Sequence, residues 1–296
     1  MINMAYMLYP GCMIVSEQYQ YEISAKKILD FFGVDYRVCP EFHCCGEPMK
    51  CVNVMTWLTM ASRIIAMAER MGRDVLTLCN GCYLSLNKAK KIITDSKRRK
   101  AEVNRILGKD GLEFNGSARI RHIMSVIAED IGLERIREST RRNLRGLVLA
   151  THYGCHVLRP YDFAIDDPEN PTVLEKFIEV LGARAPYYPE RMDCCMILFA
   201  NVRPRDADLI RGEKLLAIKR RGFDAMITIC PLCQHSYETR QRRISKLLKA
   251  DVSIPVIYYT QLLGLALGMS PRDLGLHLNM SPTRRLLGKL GIVSDP

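Results

Sequence analysis

Ten of the twelve cysteines fall into two sets of five that share one order: a lone cysteine, an adjacent pair, then a C-x-x-C run. The first set is Cys12, Cys44, Cys45, Cys79 and Cys82, and the second is Cys155, Cys194, Cys195, Cys230 and Cys233. Between lone cysteine and pair lie 31 and 38 residues, and between pair and run 33 and 34. Thiolates are soft donors suited to iron-sulfur clusters, zinc or copper, and C-x-x-C lets two sulfurs reach one metal or two metals of one cluster. An adjacent pair says more. Its side chains diverge along a regular strand and converge only in a loop, which suits a bulkier core with several irons. Five thiolates also exceed the four of a closed zinc site or an ordinary cubane, so an unusual iron-sulfur geometry is the natural inference.

Other residues near these stations are candidates for supporting roles. His43, His152, His156 and His235 flank the cysteines and could hold the local fold or hydrogen-bond to sulfur. His156, directly after Cys155, is the candidate proton donor to a leaving thiolate. Lys50, Arg159, Arg203 and Arg205 lie in loops where an anionic substrate would need cations, although most such arginines are simply solvated. Cys39 and Cys51 stand outside both sets and read as plain thiols. No calcium loop is complete and no glycine-rich phosphate fingerprint follows a strand, so neither nucleotide nor flavin is expected on this chain.

The elements that must position these cysteines also come twice. Short apolar runs at Ala5–Tyr9, Val34–Val38 and Val75–Leu78 alternate with helical stretches that include Thr56–Met71. Gly146–Thr151, Ala185–Tyr188, Ala225–Ile229 and Val256–Tyr259 repeat that order, with helices at Thr172–Leu181, Asp206–Arg221 and Thr260–Leu267. Ile92–Leu107 reads as an exposed helical excursion and Ser117–Ile131 as a further helix. Alternation of this kind predicts an α/β protein of two similar lobes, residues 1–142 and 143–296, each a small parallel sheet flanked by helices. Parallel sheets carry their sites at the carboxyl ends of the strands, where all the cysteine stations fall. A duplicated unit further suggests pseudo-twofold symmetry across a shared cleft.

A chain of 296 residues, 48% hydrophobic and 25% charged, can bury a sizeable core. Its net charge of +11 raises the question of nucleic acid. The basic runs at Lys97–Lys100 and Arg240–Arg243 have no interleaved aromatic platform, so solvated faces or docking surfaces for acidic partners are the better reading. Pro255–Met269 is shorter than the roughly 18 to 20 apolar residues of a membrane span. The absence of an export signal makes a cytoplasmic location the expectation, and in that reducing compartment clustered cysteines hold metal more often than they form disulfides.

At this level of detail the chain resembles the double CCG-domain family of heterodisulfide reductase B-type subunits. The likeness rests on the duplicated cysteine order, D-D-P-E-N-P-T at Asp166–Thr172, C-P-L-C at Cys230–Cys233 and Q-L-L-G-L-A-L-G at Gln261–Gly268. What the resemblance implies is two non-cubane 4Fe-4S clusters, one held by each set of five cysteines. It implies reduction of a disulfide such as CoM-S-S-CoB, clamped between the clusters and opened by one electron from each. It also implies partner subunits: an iron-sulfur subunit of the C type and a flavin subunit of the A type. One departure stands out, because Met196, Ile197, Leu198 and Phe199 occupy the place where the family continues with glycine after the second pair. Glycine permits a close backbone approach that larger residues block, so narrowing of the cleft or displacement of the second cluster is the expected risk. The alternatives are an electron-transfer subunit with a closed cleft and a zinc-bearing scaffold of an oxidoreductase complex.

Overall fold

The computed structural model describes residues 5–39, 41 and 43–292. Strands β1 (Ala5–Tyr9), β2 (Asp35–Val38), β3 (Asp74–Thr77) and β4 (Ile120–His122) form a sheet ordered β2-β1-β3-β4. Strands β5 (Leu149–His152), β6 (Ala225–Thr228) and β7 (Val256–Tyr258) form a second, ordered β5-β6-β7. All of these pairings are parallel. Parallel neighbours need crossover connections, and the helices that supply them bury both sheet faces. Hence Tyr6, Met7, Leu8 and Tyr9 of β1 are all fully buried, and so is the whole of β6. The expected fold class, two small parallel sheets flanked by helices in a duplicated chain, is the observed one.

Four elements differ from the sequence expectation. Ser117–Ile131 is not one helix: it supplies β4, then the short helix Ile123–Val126 and a π turn over Ile127–Ile131. Pairing with β3 buries Ile120 and His122 and overrides the helical period. Ala185–Tyr188 forms no strand, and a single parallel bridge joins Val148 to Arg184. Pro186 and Pro189 lack the amides a longer ladder would need. The helical stretch after Cys12 is broken into Cys12–Glu17 and Tyr19–Phe31 at Gln18. Its side chain there accepts a 2.7 Å hydrogen bond from the Tyr258 hydroxyl. The excursion resolves into Asn80–Thr94 and Lys97–Leu107, and the latter buries Val103 and Leu107 rather than standing free.

The two halves are not separately cored. Both hydrophobic clusters of the molecule draw residues from each half. Helix Tyr19–Phe31 packs on helix Tyr259–Ala266, the rings of Tyr21 and Tyr258 stack with centroids 3.8 Å apart, and the Tyr21 hydroxyl donates to the Ile229 carbonyl. Ser24 and Thr260 share a buried 2.7 Å hydrogen bond between their hydroxyls. No described helix is long and apolar enough to cross a membrane.

Candidate functional site

The sheets deliver the cysteines as parallel topology dictates. Cys12 follows β1 after the turn at Pro10 and Gly11, and Cys155 follows β5 in the same way. Cys79 and Cys230 are the N-caps of helices Asn80–Thr94 and Pro231–Glu238, so Cys82 and Cys233 lie in the first turns of those helices. The adjacent pairs sit in irregular loops, beyond β2 and beyond the bridge at Arg184. Exposed backbone amides and the positive end of the helix dipole therefore face the sulfurs of both C-x-x-C runs.

The ten sulfurs form a continuous file. Cys12 Sγ lies 3.9 Å from Cys44 Sγ, and hydrogen-bonding reach then continues through Cys45, Cys82 and Cys79. In the other half the same order runs Cys155, Cys194, Cys195, Cys233, Cys230. The two files meet where Cys79 reaches Cys230. The file reads the same from either end, so the internal pseudo-twofold passes between Cys79 and Cys230. All ten are free thiols, as are the buried Cys39 and the exposed Cys51, neither of which joins the file. Among the described residues no three Cys, His, Asp or Glu side chains are placed to hold a single metal ion.

Crowding decides which thiols can ionise. Hydrogen bonds from Cys12 and Cys45 hold the Cys44 thiol down at about 2. Those from Cys155 and Cys195 do the same for Cys194. Donating to these thiolates pushes Cys45 up to about 11 and Cys195 up to about 12. Cys12 and Cys155 are raised for the same reason, with burial second. Cys79, Cys82 and Cys233 also rise, through their sulfur partners first and burial after. Cys230, despite burial that opposes ionisation, is pulled down by bonds from Cys233 and Cys79. Ten sulfurs this close cannot all be thiolates unless positive charge lies among them. The donor set therefore fits a polycationic inorganic core in each half.

Glycine makes room at the sulfurs. Gly11 and Gly154, each just before a lone cysteine, hold φ of 87° and 75°. A Cβ on Gly11 would stand 3.0 Å from Cys82 Sγ, and one on Gly154 would stand 3.1 Å from Cys233 Sγ and 2.8 Å from Asn80 Nδ2. Asn80 Nδ2 donates 2.7 Å to the Tyr153 carbonyl, tying the first C-x-x-C run to the second lone-cysteine loop.

After the second pair the backbone keeps the turn of the first pair although glycine is absent. Met196 takes φ 58°, the left-handed turn that Gly46 makes with φ 83° at the first pair. The amides of Gly46 and Met196 point alike at the first sulfur of their pairs, at 3.5 and 3.4 Å. Ile197, Leu198 and Phe199 then wall a cavity of about 250 Å³ that all five cysteines of the second set line, with Asn80, His156 and Leu232 closing it from the other side. The turn is kept at a strain of about 1–2 kcal/mol for a residue with a Cβ. Met196→Gly is therefore expected to raise the thermal midpoint by a few degrees, about 2–4 °C per kcal/mol for a chain of this class. Differential scanning calorimetry checks it, and an unchanged or lowered midpoint would show the turn to be unstrained.

The remaining candidates separate. His156 lines the cavity, and its Nδ1 would lie 3.6 Å from a Cβ at Gly81 of the first half. His43 Nδ1 is 2.8 Å from the Cys44 carbonyl oxygen, and His235 pairs with Glu17 at 3.1 Å. Lys50 pairs with Glu47 over the Trp57 ring. Arg159 bonds to the Pro168 carbonyl, Arg203 stands 3.9 Å from Asp206, and Arg205 is exposed, so none of these four enters the cavity. His152 is fully buried and meets a residue that the sequence pattern does not single out, Lys214, whose Nζ is 2.8 Å from His152 Nδ1. Arg211, equally unmarked in the sequence, donates from Nε to the Cys195 carbonyl at 2.9 Å and from Nη2 to the Met196 carbonyl at 3.0 Å.

The model of the CCG cysteine-rich domain matches this chain twice, over residues 6–87 and 149–237. The B subunit of the ferredoxin:CoB-CoM heterodisulfide reductase of Methanosarcina mazei is 36% identical over 97% of both chains. The B subunit of a ferredoxin/F(420)H(2)-dependent CoB-CoM heterodisulfide reductase of Methanosarcina acetivorans is 34% identical, again over 97% of both. The 8-methylmenaquinol:fumarate reductase membrane anchor subunit of Wolinella succinogenes is 29% identical over 94% of this chain and 97% of its own. Among solved structures, a hypothetical protein from Helicobacter pylori superposes with a TM-score of 0.75 at 19% identity, over 94% of this chain and 52% of that one, a likeness of fold.

Proposed function

Since the chain belongs to the cysteine-rich CCG-domain family of heterodisulfide reductase B-type redox subunits, we propose that it is the disulfide-reducing subunit of an oxidoreductase complex. On this reading each quintet holds one non-cubane 4Fe-4S cluster: Cys12, Cys44, Cys45, Cys79 and Cys82 the first, and Cys155, Cys194, Cys195, Cys230 and Cys233 the second. The division between the two units falls near Arg142. The observation that carries the reading is the ten-sulfur file, whose crowding would let all ten ionise only if positive charge lay among them. A file of sulfurs also favours cores larger than the single ion of a zinc scaffold.

Opening a disulfide takes two electrons and two protons and leaves two thiols. Clusters of this kind supply electrons singly, at iron accessible to sulfur. The chain's own residues do the rest. Gly11 and Gly154 let backbone approach sulfur, and Asn80 holds the two stations in register. Ile197, Leu198 and Phe199 give the second station an apolar wall. His156, on the cavity wall, would on this reading hand a proton to the departing sulfur. A C-type iron-sulfur subunit would deliver the electrons, with an A-type flavin subunit behind it, in the cytoplasm.

Viologen-driven reduction of a panel of disulfides, CoM-S-S-CoB among them, tests the proposal on an assembled complex with its iron counted. Turnover of at least one member is expected. Silence from a complex with full iron would leave an electron-transfer subunit.

A further inference from the structure

The halves repeat in backbone but not in charge. Cys44 and Cys194 stand 150 positions apart, as do Val54 and Pro204, so the 17-residue helices Val54–Arg70 and Pro204–Arg220 correspond residue by residue. Leu58, Ala61 and Ile64 of the first become Asp208, Arg211 and Lys214 of the second, and all six are buried. Three residues before the lone cysteine, Tyr9 becomes His152, and four after the run, Leu86 becomes Tyr237. Among the described residues every buried Asp, Glu, Lys or Arg side chain lies in the second half.

Most of those charges cancel locally. Arg211 pairs with Asp208 at 2.9 Å, and Arg191 pairs with Glu175 at 2.9 Å. The Glu238 carboxylate accepts from the Ser281 amide and hydroxyl, on the side of its helix away from the sulfurs. Lys214 is different. It is fully buried, its Nζ donates to the Arg191 carbonyl at 3.1 Å and meets His152 Nδ1 at 2.8 Å, and it lies 5.7 Å from the ring centroids of Tyr188 and Tyr237. No carboxylate pairs with it among the described residues. The charges that favour its ammonium form are Asp193 and Glu190, beyond bonding distance, and the sulfurs of Cys233 and Cys195. Burial lowers its pKa to about 8, which still leaves it mainly protonated at neutral pH. A buried ammonium without a bonded counter-ion is costly, and it persists where a negative centre stands close by.

We propose that Lys214 sets the reduction potential of the second sulfur quintet's centre, making it easier to reduce than the first, where Ile64 stands instead. The inference rests on the reading that each quintet holds an iron-sulfur cluster. Each electron accepted adds one negative charge to a buried centre, and a nearby ammonium stabilises that charge with little screening from its aromatic and apolar surroundings. An electron from a one-electron iron-sulfur donor therefore settles first in the C-terminal half, beside the apolar cavity. Lys214 touches neither sulfur nor guest, so it is a positioning charge rather than a catalytic residue.

Redox titration of the anaerobically prepared protein, followed by electron paramagnetic resonance with iron counted on the same samples, tests this. The wild type is expected to show two midpoints. Lys214→Met and Lys214→Gln each lower the higher midpoint by about 59 mV or more, a tenfold change in its one-electron equilibrium, and leave the lower midpoint and the iron count in place. Gln keeps a donor for the Arg191 carbonyl, so one variant without charge retains the local packing. If both midpoints stay, or the lower one moves instead, Lys214 does not set the potential. Iron at neither quintet would overturn the cluster reading itself, an outcome told apart by the iron count alone.

Discussion

Replacing Cys45 with serine is expected to halve the iron of anaerobically prepared protein, and replacing Cys195 to do so through the other quintet. Both sit inside their files, within reach of sulfur on two sides and nearly sealed from solvent, so no water can stand in for the lost ligand. Full wild-type loading is about eight irons and eight sulfides per chain if each quintet holds a four-iron cluster. Disulfide turnover should fall further than the ~10–100-fold typical of changes behind the ligands if, as proposed, each guest takes an electron from both stations. Cys39→Ser and Cys51→Ser serve as controls, with unchanged iron, because neither thiol belongs to a file. Colorimetric iron and sulfide assays on the four variants decide it: full iron in Cys45→Ser or Cys195→Ser would dissolve the assignment of that quintet.

Gly154→Ala is expected to destabilise the protein by ~2–5 kcal/mol and to empty the second station. Two effects combine. A Cβ at φ 75° carries backbone strain of about 1–2 kcal/mol. The same atom would press on Asn80 Nδ2 at 2.8 Å, displacing a buried donor from the Tyr153 carbonyl at about 1–3 kcal/mol. Gly33→Ala separates the two effects, for Gly33 has φ 66° and a methyl group added there would meet nothing within 4 Å. Denaturant melts of the two variants should differ by the collision alone, and only Gly154→Ala should lose iron. Equal losses would mean that the close approach to Asn80 and Cys233 is easily relieved.

The stations are legible in the sequence because cysteine order and spacing survive duplication, and because apolar runs such as Ala5–Tyr9 and Ala225–Thr228 have one plausible structure. β4 is not, since Ile120 and His122 share a segment with helical periodicity and only pairing with β3 decides between them. The effect of Met196 is hidden for a related reason: residue type alone argues against a left-handed turn there, whereas the amide contact to Cys194 sulfur maintains it at a cost. Lys214 and Arg211 lie inside a helix that is amphipathic in outline, where charge ordinarily marks the wet face. Setting that helix against its earlier copy, position by position, exposes them, because Ile64 and Ala61 have no reason to become cations on a buried face unless the face has acquired something to oppose.

The stacked rings of Tyr21 and Tyr258, with the hydroxyl pair of Ser24 and Thr260 beside them, brace the molecule across its midline. Such bracing opposes a jaw-like opening of the two halves. On the proposed reading a guest therefore meets the second-half cavity at a set width, and selection among guests passes to the replaceable side chains along its wall, from Met196 to Phe199, while the frame behind them stays constant.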